Sequence, residues 1–163
     1  MKKLFFTFVF VLFVFQNCSA EINQYTNDFD NSLITYSYFD KGNNENSPLE
    51  IVLRKTAFSD KVEYTIFLSK RYAPSRRYVG LENVKFKLNN DPKNVLDLDT
   101  RISQSAVGHT YALNATPSIL ELEKAESITI QIPSYTKEKQ QIRYTYYDLD
   151  KNILQEWKEV ISK

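Results

Sequence analysis

The densest cluster of reactive side chains is Lys70-Arg71-Tyr72-Ala73-Pro74-Ser75-Arg76-Arg77-Tyr78, with four cations and two tyrosines around a Pro-Ser turn. Arginine forks and lysine ammonium groups bind carboxylates and phosphates, and tyrosine supplies rigid contact area. Lys70, Arg71, Tyr72, Arg76, Arg77 and Tyr78 are therefore the candidate binding residues, suited to an acidic partner, a glycan or a lipid headgroup. The competing reading is structural: a solvated hairpin end whose cations discourage edge-to-edge strand pairing.

Carboxylates recur at i, i+2 as Asp28/Asp30, Asp97/Asp99 and Asp148/Asp150. Two converging acids can hydrolyse a glycosidic bond or hold Ca²⁺. None of these pairs lies in a D-x-D-x-D-G type loop. Asp97 and Asp99 fit better as the wet side of an alternating strand, with Arg101 beside them. The single histidine, His109, opens a strand after Gly108, and no serine sits in a G-x-S-x-G motif. One His and one Cys cannot form the usual zinc site. No catalytic residue, metal site or cofactor is assigned on these grounds.

The lone cysteine belongs to an address. Met1-Lys2-Lys3 is basic, Leu4 to Phe15 is apolar except for Thr7, and Gln16-Asn17-Cys18-Ser19-Ala20 is polar and small. That is the three-part pattern of a secretory signal peptide over residues 1–20. Its apolar run is shorter than the roughly 20 residues a membrane-spanning helix needs. Two processing routes compete: cleavage after Ala20, or lipidation of Cys18 as in a bacterial lipoprotein. Asn17 and Gln16 depart from the usual lipobox, which favours cleavage. Either route exports the domain to the periplasm or the extracellular space, anchored to the membrane only through a lipid on Cys18. Cleavage removes two of the 21 cations and none of the 20 acids, so the mature net charge becomes −1. A near-neutral exported domain is a poor nucleic-acid binder.

The elements that must position these groups are strands. Val62, Tyr64, Ile66 and Leu68 alternate with Glu63, Thr65, Phe67 and Ser69. Val84, Phe86 and Leu88 alternate with lysines, and Ile128, Ile130 and Ile132 with Thr129 and Gln131. Leu96, Leu98 and Ile102 alternate with Asp97, Asp99 and Arg101, which reads as one strand. Ile142, Tyr144 and Tyr146 share one side of another run, and read as its core side. With 33–39, 49–56 and 109–114, this predicts about eight antiparallel strands in a sandwich or curved sheet.

Two segments read as helical. Thr116-Pro117 opens a short helix over about 117–125, with Thr116 as its cap. Ile153, Leu154, Trp157, Val160 and Ile161 form one face of an amphipathic helix over about 150–162, capped by Asp150 or Asp148. Residues 21–31 lack periodicity and read as a flexible leader before a single β-rich domain over 32–163. The fold class is mainly β, of the α+β kind.

No signature of a particular family stands out. The expectation is a non-catalytic exported binding domain whose partner is a protein or a component of the cell envelope. An inhibitor or immunity protein for an exported toxin, and a carboxylate-based glycan or envelope hydrolase, are the alternatives. Intact mass of the exported protein tests the address. A chain beginning at Glu21 is expected, and a lipid-modified Cys18 would instead make it an anchored lipoprotein.

Overall fold

A computed structural model describes residues 21–40, 49–71, 78–104, 108–136 and 139–163. In chain order the strands are β1 (Glu21–Thr26), β2 (Leu33–Asp40), β3 (Leu49–Ala57), β4 (Val62–Arg71), β5 (Tyr78–Gly80) and β6 (Lys85–Leu88). Then come β7 (Val95–Asp97), β8 (Thr100–Gln104), β9 (Gly108–Asn114), β10 (Ile128–Thr136) and β11 (Gln141–Asp148). Helix α1 (Ile119–Lys124) follows β9, and α2 (Lys151–Ser162) follows β11. A six-stranded sheet runs β1-β2-β3-β4-β9-β8. A five-stranded sheet runs β11-β10-β6-β7, with β5 also paired to β10. Every pairing is antiparallel, as in a β-sandwich.

The core lies where the alternation predicts it. Ile51, Leu53, Ile66, Leu68, Tyr111 and Leu113 of the six-stranded sheet belong to one buried cluster with Phe86, Leu88, Ile128, Ile130 and Ile132 of the other. Helix α2 forms as its spacing predicts. Asp150 is its N-cap, and its side chain accepts from the Asn152 N–H at 2.8 Å. Ile153, Leu154, Trp157 and Val160 turn inward. The helix lies against β2 and β3. Lys55 Nζ donates to the Ile161 carbonyl at 3.1 Å, where the helix end has spare acceptors.

Five local expectations are corrected. The predicted leader contains β1, which pairs with β2 from Glu21↔Tyr38 to Thr26↔Leu33. As an edge strand it draws on backbone bonds, so it needs no apolar alternation to be held. The run from Leu96 to Ile102 is two strands in different sheets, β7 against β6 and β8 against β9. Leu98, buried at the crossing, anchors the change of sheet. Residues 70–78 do not close a hairpin, because β4 belongs to one sheet and β5 to the other.

The fourth correction concerns Thr116, which does not cap α1. Its Oγ1 accepts from the Tyr64 N–H at 2.9 Å, tying the chain to β4, and a short 3₁₀ turn at Thr116–Ser118 precedes the helix. The fifth is the side-chain parity of β11. Ile142, Tyr144 and Tyr146 are exposed, while Tyr147 is buried. In the β10–β11 ladder Tyr147 stands opposite Ile130 and Thr145 opposite Ile132, whereas Tyr146 stands opposite Gln131. Opposite residues share a sheet face. The buried isoleucines therefore carry Thr145 and Tyr147 inward and turn the other set out.

Trp157 is 1% exposed and is the largest fully buried side chain. Trp157→Ala is expected to cost about 3–5 kcal/mol. Urea unfolding checks this, with the half-exposed Tyr25→Ala as the near-neutral control.

Candidate functional site

Two places gather chemistry. The first is a polar end of the core. On β4 the inward set Ile66, Leu68 continues to Lys70, and on β9 Leu113 and Tyr111 are followed by His109. Lys70 stands opposite His109 in the ladder. Lys70 is only 7% exposed. Its Nζ donates to Thr145 Oγ1 at 2.8 Å and lies 5.9 Å from the centre of the Tyr147 ring. Burial pushes the ammonium down to about 8. His109 is lowered by burial and, second, by the positive Lys70. His109 Nε2 accepts from the Gly80 N–H at 3.2 Å, which leaves the proton of the neutral ring on Nδ1.

Gly80 makes this contact between the sheets by lacking a side chain. A Cβ there would stand 2.9 Å from Tyr111 Oη and 3.2 Å from the His109 ring. The arrangement holds the two sheets together at this end. Lys70 is thus a structural cation, in contrast to the expected solvent-facing binding residue. Arg71 ends β4 opposite Gly108, and Tyr78 begins β5 opposite Thr136. Tyr72, Arg76 and Arg77 lie outside the described residues, as does Cys18.

The second place is the outer face of the five-stranded sheet. Ile142, Tyr144 and Tyr146 are 54%, 53% and 61% exposed at alternate positions of β11. Gln131 Nε2 donates to Tyr146 Oη at 2.9 Å across the ladder. Next to them is a groove of about 810 Å³. Ile142, Tyr144 and Pro133 form one side, and Lys85, Asp97 and Gln104 are among its polar lining. Lys85 and Asp97 stand opposite each other in the β6–β7 ladder. The alternation with Ile142 predicts these tyrosines on the core side, and the structure turns them out. The signal that finds them is the isoleucine parity of β10, transferred through the hairpin register.

The carboxylate pairs do not converge. Asp97 lines that groove, whereas Asp99 lines a separate cavity of about 460 Å³ with Arg54, Arg101 and Phe67. Asp30 accepts from the Ser32 N–H at 3.0 Å, which organises a turn. Asp148 accepts from Thr129 Oγ1 at 2.7 Å, and Asp150 caps α2. No group of three metal-ligating side chains occurs among the described residues. No protein-family model, curated protein or solved structure matches the chain.

Lys70 gives a pH signature. Below about 8 it is charged in folded and unfolded chains alike, and the burial cost is present in full. Between about 8 and its ordinary 10.5 the unfolded chain holds more protons, so folding stability rises with pH. Urea unfolding at several pH values is expected to show this rise in the wild type. Lys70→Met is expected to abolish that component.

Proposed function

We propose that this chain is an exported, non-catalytic binding domain whose contact surface is the outer face of the five-stranded sheet. The observation that carries the reading is the outward set Ile142, Tyr144 and Tyr146 beside the 810 Å³ groove. Large apolar groups ranged on one side of a strand, next to a concave polar surface, are the anatomy of a recognition site. Tyrosine is suited to this use because its ring offers area with few rotamers to freeze. The export step rests on the signal pattern of residues 1–20, and the partner is a component of the cell envelope.

A hydrolase built on Asp97 and Asp99 lacks geometric support, because the two carboxylates open into different cavities. The sequence run that holds Arg71, Arg76 and Arg77 can add electrostatic attraction to an acidic partner.

Retention of the processed domain on isolated bacterial envelope tests the surface. The Tyr144→Ala/Tyr146→Ala double variant is expected to lose about tenfold in retention, the effect of removing one or two contact anchors. Its unfolding free energy is expected to stay within about 1 kcal/mol of wild type, since both rings are half-exposed. Undiminished retention of the folded double variant would reject this face. Retention lost when the envelope's proteins are digested would point to an inhibitor-like role with a protein target.

A further inference from the structure

We propose that the groove beside Tyr144 takes a neutral oligosaccharide, stacked on the outward tyrosine rings and hydrogen-bonded by groups of β6, β7 and β10. The inference rests on the outer face being the contact surface, and it adds the chemistry of the ligand. Three features select that chemistry.

The first is the mixture of surfaces. The groove is more polar than apolar, yet Tyr144, Ile142 and Pro133 supply an apolar wall. A sugar ring matches both, with C–H groups on its faces and hydroxyls around its rim. A purely apolar ligand would strip water from the amide and charged groups without replacing their hydrogen bonds. The second is charge. Lys85 and Asp97 face each other across one ladder and offset each other's field. Glu82 adds one further acid to the lining, so a phosphate or polyanion meets more acid than cation here. Together Lys85 and Asp97 still offer donors and acceptors to a hydroxyl.

The third feature is preorganisation. Gln131 Nε2 donates to Tyr146 Oη at 2.9 Å, which restrains that ring and leaves the amide oxygen as an acceptor. Tyr144 and Tyr146 are two residues apart on one strand face, so their attachment points are about 7 Å apart. Tyr144 lines the groove and Tyr146 stands just beyond it on the same strand face, so the second ring extends the platform of the first. The volume of about 810 Å³ suits an oligomer better than a single ring. A peptide adding to the β11 edge would use backbone bonds in the sheet plane, and would leave this out-of-plane groove unfilled.

The experiment is a titration of the processed domain followed by its tyrosine ring resonances. The probes are tetramers of β-1,4-linked glucose, α-1,4-linked glucose and β-1,4-linked N-acetylglucosamine, with tetragalacturonate as the charged comparison. At least one neutral tetramer is expected to shift the Tyr144 and Tyr146 rings, with Kd of about 1 mM or tighter. Tyr144→Ala is expected to weaken it about tenfold, and Gln131→Ala about threefold to tenfold. Tyr144→Leu keeps apolar bulk without a flat ring and is expected to behave like Tyr144→Ala, so a folding defect in one variant does not decide the outcome.

The proposal is overturned if no neutral tetramer moves these rings at about 10 mM. It is equally overturned if tetragalacturonate binds as well as the neutral probes, or if both Tyr144 variants bind like wild type. Envelope retention that still depends on Tyr144 while no oligosaccharide binds would leave the contact surface standing and remove the sugar.

Discussion

The five-stranded sheet is organised by one strand. β10 pairs with β11 on one side and with β5 and β6 on the other. Its Ile128, Ile130 and Ile132 are buried. Each buried aliphatic side chain of this size contributes about 1.5–3 kcal/mol relative to exposure. A one-residue slip would exchange the isoleucines for Thr129 and Gln131, so the inward set is strongly determined. The ladder then transmits that choice. Leu88 and Phe86 face in because they stand opposite Ile128 and Ile130, and Tyr147 and Thr145 face in because they stand opposite Ile130 and Ile132. The outward placement of Lys85, Gln131, Tyr144 and Tyr146 is the other half of the same constraint.

A second constraint acts at the polar end of the core. A lysine among buried side chains costs free energy unless its ammonium finds partners. Thr145 Oγ1 and the face of Tyr147 are placed for Lys70 by the β11 parity that turns Tyr144 outward. The Lys70 end of the core and the outward tyrosine face of the sheet are therefore coupled through one strand. The close approach of Gly80 to His109 and Tyr111 joins the sheets at the same end. This also changes the meaning of the basic segment beginning at Lys70. Its first cation is internal, and the segment connects two sheets where a hairpin end was expected.

Asp30 organises a turn, Asp150 caps α2, and Asp97 and Asp99 line separate cavities. The aromatic groups of the outer face are held in place by the sheet and a cross-strand hydrogen bond. Positioning by a rigid scaffold limits the entropy lost when a ligand docks.

Local features were legible in the sequence. The spacing of Ile153, Leu154, Trp157 and Val160, with Asp150 ahead of them, determines an amphipathic helix because capping and i, i+4 contacts act within a few residues. The alternation around Ile66, Phe86 and Ile130 determines strands, since successive side chains of a strand must point to opposite faces. Alternation does not say which face is inside when both carry large apolar groups, as in Ile142 to Tyr147. Only pairing with β10 decided that. The same limit hid the break at Leu98, where two neighbouring hairpins belong to different sheets, and the edge strand β1, which backbone pairing with β2 holds. Periodicity belongs to a segment, whereas parity and sheet membership are properties of what the segment packs against.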